Sequence, residues 1–117
     1  MSDYRKLRVW EKADALAAQI YELTTSESFT RYKDLADQMK QSSGSIPFNI
    51  AEGSGHRSRK EFARFITYSI ASSCELENQI NLCRKLKVIS YPGSEKLGNE
   101  LSEIRKMLRG FLRRLEE

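Results

Sequence analysis

Histidine is almost missing from this chain: His56 stands alone in 117 residues. No histidine-rich metal shell can be assembled from it, and no Ser-His-Asp set has a spare. Cysteine is nearly as scarce. Cys74 and Cys83 lie on what reads as one helix, where their separation turns them to opposite faces about 13 Å apart along the axis. A disulfide needs Cα atoms within about 7 Å, so they cannot bridge each other. They read as two small buried hydrophobes, and free thiols fit a reducing, cytoplasmic compartment. Long apolar runs are lacking too: none approaches the ~18 residues that cross a bilayer. The start, MSDYRKLRVWEKAD, has no apolar signal core, so neither export nor a membrane partner is expected. Proline appears twice, as Pro47 and Pro92.

What is present suits one soluble helical domain over residues 1–117, since 39% of the residues are hydrophobic and 31% charged, neither disordered nor membrane-like. The net charge of +4 permits an acidic partner without requiring one.

Four stretches carry helical periodicity and predict an all-α, antiparallel up-down-up-down four-helix bundle, with helices at about 9–25, 32–54, 58–87 and 93–116. In the first, Trp10, Ala13, Ala17, Ile20 and Leu23 form one stripe. Ser26 to Arg31 breaks the pattern as a loop. The second stripe, from Tyr32 through Ile50 to Gly53, keeps its phase across Pro47. This favours one helix kinked at the proline, near Gly44, over two short ones. Nearby serine hydroxyls are expected to take up freed carbonyls. Gly53 or Gly55 then closes the helix in the left-handed conformation.

Ser58 with Glu61 makes a capping box and the sharpest boundary in the chain. The third helix carries two seams. Phe62, Phe65, Ser69, Ser73, Leu76, Ile80 and Cys83 form the first, with a middle small enough for close approach. Phe65, Tyr68, Ser72, Glu75, Gln79, Leu82 and Leu86 form the second. Two seams are more than one neighbour covers, so Tyr68, Ser72, Glu75, Gln79 and Leu82 are the expected homo-oligomer interface. Ser90 to Ser94 reads as a turn. Leu97, Leu101, Ile104, Leu108, Phe111 and Leu115 complete the fourth stripe.

Chemistry is thinly represented. Glu75 and Glu77 sit on different helix faces and make no acid–base pair. Glu52 and His56 are the closest approach to a Glu-x-x-His pattern, and it occurs once. The glycine turn before a basic helix start matches neither the P-loop nor the dinucleotide fingerprint, and Glu61 occupies a donor that an anion would want. The expectation is therefore a non-enzyme: no catalytic residue, no cofactor, no metal and no small-molecule substrate. Cations cluster in three places instead: the N-terminal arm, the run Arg57, Arg59, Lys60 and Arg64, and the last helix with Arg105, Arg109 and Arg113. In an antiparallel bundle the three share one end, which predicts salt-dependent phosphate contacts without sequence-specific reading.

The run Ser45-Ile46-Pro47, Asn49-Ile50-Ala51-Glu52-Gly53, Ser58, Lys60-Glu61-Phe62, Phe65 and Glu75-Leu76-Glu77 with Gln79 resembles the bacterial four-helix-bundle proteins of the 23S rRNA intervening-sequence family. Leu7, Val9-Trp10, Lys12-Ala13 and the leucine-rich last helix share that resemblance. It implies a bundle that assembles into a homo-oligomer, a five-membered ring, with RNA binding inferred from basic character. A related bundle accompanies the reverse transcriptases of diversity-generating retroelements and contacts nucleic acid and enzyme. The expected partners are a second copy and structured RNA or a nucleic-acid-processing protein. The competing expectation is an oligomeric scaffold for a protein partner, with no nucleic-acid role.

Overall fold

The computed structural model describes residues 3–117. Among these, four helices pack against one another and no strand occurs: α1 (Arg8–Thr24), α2 (Lys33–Ser54), α3 (Arg59–Lys85) and α4 (Tyr91–Glu116). The body measures 44 × 20 × 19 Å, so α3, at ~1.5 Å per residue, runs nearly its whole length.

Each helix buries the stripe its sequence carries. From α1, Ala13, Ala17 and Ile20 of the expected stripe face inward together with Val9 and Leu16, which the stripe left out, while Trp10 and Leu23 are only partly buried. From α4, Leu97, Leu101, Ile104 and Leu108 are buried, and Phe111 and Leu115 partly so. Between α1 and α2 the chain is more ordered than a pattern break suggests. Glu27–Phe29 form a 3-10 turn that leaves Phe29 only 2% exposed and adds it to the core.

α2 runs unbroken through a buried Pro47, which excludes two short helices. The serine hydroxyls before the proline do not serve the carbonyl it frees. Ser42 and Ser43 donate one turn back, to the carbonyls of Met39 and Lys40. Neither Gly53 nor Gly55 closes the helix in the left-handed region, for no glycine has a positive φ. Gly53 is needed for another reason. A Cβ there would stand 2.8 Å from both the Phe62 ring and the Phe65 Cβ, so α3 could not come this close.

At the start of α3 the Ser58 hydroxyl accepts from the Glu61 N–H at 3.2 Å, which is half of the capping box. The other half is absent, because the Glu61 carboxylate takes the Arg64 guanidinium at 2.6 Å. Along the first seam only Phe65 is less than fully buried. At the far end Lys87 adopts φ 61°, with its N–H on the Arg84 carbonyl and the Val88 N–H on Cys83. That is a Schellman closure with lysine where glycine is usual. α4 begins at Tyr91 rather than after the proline. Ser90 caps it through the Gly93 N–H at 3.1 Å, and Pro92 sits in the first turn, where no N–H is needed.

Contacts fix the directions of neighbouring helices. Ser42 meets Gln79, Ser45 meets Ser72 and Ile46 meets Ser69, so α2 and α3 run oppositely. Arg59 reaches the carbonyls of Arg114 and Leu115 while Ser73 meets Arg105, so α3 and α4 do as well. Lys12 with Glu103 and Gln19 with Glu100 give the same relation for α1 and α4.

The cysteines differ from expectation. Cys83 is buried with its Sγ 3.5 Å from the Met39 Sδ, and burial pushes its thiol pKa up to about 11. Cys74 is exposed, not buried. Position 74 falls outside both seams, which is why its apolar character brought it no partner.

Candidate nucleic-acid interface

The antiparallel register carries the starts of α1 and α3 and the finish of α4 to one end of the bundle. Two grooves flank the last turns of α4 there. On the α3 side, a groove of about 620 Å³ is lined by Lys60, Glu61, Ala63, Arg64, Leu115 and Glu116. On the α1 side, one of about 520 Å³ has apolar walls from Leu7, Val9, Met107 and Phe111, with Lys6, Arg8, Lys106, Arg113 and Arg114 at its edge.

The basic residues at this end are not equivalent. Arg57, Lys60, Arg109 and Arg113 are exposed, and none pairs with an acid among the described residues. These four are open to an anion. Arg64 is exposed but engaged: it binds Glu61, donates to the Tyr68 hydroxyl at 3.1 Å and lies over the Phe65 ring. The Arg64 bond and charge hold the Glu61 carboxyl below its usual pKa. Arg59 caps the last carbonyls of α4, from Arg114 and Leu115.

Arg105 stands apart. Its side chain is 16% exposed and its donors are taken inside the fold, by the Ser73 hydroxyl at 2.9 Å, the Ser73 carbonyl at 3.2 Å and Glu77 at 3.1 Å. It ties α4 to α3, and little of it faces water. Even spacing groups it with Arg109 and Arg113 in the sequence. The small Ser73 opposite it is the signal that could have separated them.

The five residues of the second seam expected at the interface also divide. Gln79 is buried and accepts from the Ser42 hydroxyl at 2.6 Å, while Ser72 is half-buried against Ser45 at 2.8 Å. Both are occupied by α2 of the same chain. Tyr68 and Leu82 remain 43% and 44% exposed, and Glu75 is exposed beside them. Phe48, which the periodicity did not single out, is 67% exposed on α2 and rests over Gly44 near the Tyr21 hydroxyl. Position 48 lies off the α2 stripe, so its exposure follows the spacing; only its apolar character stands out.

His56 stacks on Phe65 with ring centroids 5.0 Å apart and lies 3.8 Å from Glu52. Among the described residues no three His, Cys, Asp or Glu side chains gather as metal ligands, and no helix is long and apolar enough to cross a membrane.

The model of the 23S rRNA-intervening sequence protein family matches residues 5–110. The chain belongs to that family. The match takes in every element that builds this end of the bundle except the last turn and a half of α4. A protein of unknown function from the S23 ribosomal protein family of Bacteroides thetaiotaomicron, known from its crystal structure, superposes with a TM-score of 0.81 at 24% identity. The alignment covers 89% of this chain and 97% of that one, and at such identity it carries the fold alone. No curated protein matches the chain.

Proposed function

We propose that this family member is a non-enzymatic, self-associating bundle that binds structured RNA through the end where α1 and α3 start and α4 finishes. The observation that carries the reading is a set of exposed cations there left without acidic partners, among them Arg57, Lys60, Arg109 and Arg113. Exposed, unpaired cations on rigid helices suit a phosphate backbone, because each phosphate neutralised releases condensed counterions. Arg59 and Arg64 lie beside them, held by their present partners, and would add contacts only by exchanging those partners. Arg105 contributes by positioning α4. The family's description supports a connection with 23S ribosomal RNA.

Self-association draws on Tyr68, Glu75 and Leu82, which α3 holds outward on one side, with Phe48 on the neighbouring α2. Tyr68, Glu75 and Leu82 recur at seven-residue spacing on one face of α3, and apolar side chains left exposed there favour a partner surface. The same residues favour the second reading, a scaffold that binds a protein and leaves nucleic acid alone.

Binding of ribosomal RNA fragments measured against salt tests the first reading. Affinity is expected to fall steeply with salt. Replacing Arg57, Lys60, Arg109 and Arg113 by alanine is expected to flatten the slope by roughly one for each phosphate no longer neutralised. No binding at low salt gives the scaffold reading the lead. Light scattering at micromolar concentration tests assembly: a multiple of the 13.5 kDa chain is expected, with five copies the specific expectation, and a strict monomer refutes it.

A further inference from the structure

We propose that the groove between the start of α1 and the finish of α4 receives one unpaired base of an RNA, while the cations at its edge hold the flanking phosphates. This rests on the RNA reading above and narrows it to RNA with a bulged or single-stranded nucleotide.

Three observations converge. The groove, about 520 Å³, is large enough for a small planar ligand, and its walls include Leu7, Met107 and Phe111. The Phe111 ring is partly buried against Phe62, at 5.1 Å between centroids, and the Arg114 guanidinium lies 5.5 Å from its centre. Arg114 is exposed and lies over that ring, so its guanidinium, carried on the aromatic, is the plane on which an unstacked base packs.

The second observation is the sign of the edge. Lys6, Arg8, Lys106, Arg113 and Arg114 border the groove, and its one acid, Glu103, is held by Lys12 at 3.1 Å. The groove on the α3 side lacks this purity, because Glu61 and Glu116 share it with Lys60 and Arg64. The α1 side therefore offers flanking phosphates cations that no unpaired acid opposes, in addition to Arg57 and Lys60 at the start of α3.

Third, Gly110 lines the groove in mid-helix, where glycine weakens a helix. Its backbone does not require glycine, since no glycine here has a positive φ. A Cβ there would meet only the guanidinium groups of Arg113 and Arg114, at 3.7 and 3.9 Å. The absent side chain leaves the groove open. A duplex could touch only the edge, because its bases are stacked inside; a splayed base covers the apolar walls as well.

The test uses the full chain and two RNA hairpins with equal numbers of phosphates, one fully paired and one with a single bulged 2-aminopurine. At low salt the bulged hairpin is expected to bind roughly tenfold tighter, the size of one base–aromatic stack, with a change in 2-aminopurine fluorescence. Gly110→Leu fills the groove without removing a charge. It is expected to abolish the difference in affinity between the bulged and the paired hairpin, with a melting curve confirming the fold. The fluorescence of the bulged hairpin on unsubstituted protein gives an answer that does not depend on the variant. Equal binding of both hairpins with no fluorescence change overturns the groove proposal and leaves the RNA reading standing. Binding of neither overturns both. If an acidic amphipathic peptide binds and Gly110→Leu abolishes that binding while both hairpins are unaffected, the groove belongs to a protein segment and the proposal falls.

Discussion

α2 meets α3 through hydroxyls and a glycine, whereas α1 meets α4 across a groove bridged by the tips of long polar side chains. Ser42, Ser45 and Ser69 each bond directly across the α2–α3 interface, and Gly53 lets two phenylalanines approach the backbone. Between α1 and α4, Lys12 reaches Glu103 at 3.1 Å and Gln19 reaches Glu100 at 3.0 Å, over a space of about 220 Å³. Short polar side chains lose little rotamer freedom when fixed, and bury cleanly when paired. Long ones give up more entropy to hold a pair that water already screens. The α2–α3 seam therefore sets register and stability, and the α1–α4 seam tolerates change.

The largest expected effect breaks the close seam sterically. Gly53→Val has no room, since even a Cβ stands 2.8 Å from Phe62 and Phe65. A loss of about 3 kcal/mol is expected in urea unfolding, the upper part of the overpacking range. Next comes Ser42→Ala, which leaves the buried Gln79 amide oxygen without its donor at a cost of about 1–3 kcal/mol. Gln79→Met is expected to cost less, because Ser42 keeps the Met39 carbonyl at 3.3 Å. A reversed order of those two would mean that the hydrogen bond is not what holds the seam.

The two cysteines of α3 sharpen the same contrast. Cys83 lies in the seam against Met39, with its thiol pushed up to about 11; Cys74 lies on the outside. At pH 8 a thiol reagent is expected to modify Cys74 alone in the folded protein, and both under denaturant. An unfolded thiol ionises near pH 8.5 while the folded Cys83 keeps its proton, so stability is expected to fall as pH rises from about 8.5 towards 11 and to be flat just below. Cys83→Ala should remove that slope. The smallest effect belongs to the wide seam: a double-mutant cycle on Lys12 and Glu103 is expected to give no more than about 0.5 kcal/mol, less in high salt.

The stripes were legible because burial follows period, and period survives in sequence. Phe62, Ser69, Leu76, Ile80 and Cys83 all face inward as spacing required. Ser58 was legible because a cap is local chemistry. Phe29 was not, because a single apolar residue in a turn has no periodic company. Lys87 in the left-handed region and the start of α4 at Tyr91 were hidden by composition, which places glycine and proline only on average. In the basic end, charge spacing found the cluster but not its division. Whether an arginine is open, as Arg109 is, or enclosed, as Arg105 is, depends on what the neighbouring helix offers, and that is a property of register rather than of spacing. The apolar groove beside Gly110 combines residues about a hundred positions apart and leaves no local trace.

Arg59 gives the helix finish an unusual dependency. One guanidinium from the opening turn of α3 holds the final carbonyls of α4, so the tail of the protein is latched from a different helix. Without that latch the closing turn frays, and Arg59→Ala is expected to show it as faster amide exchange confined to the end of α4.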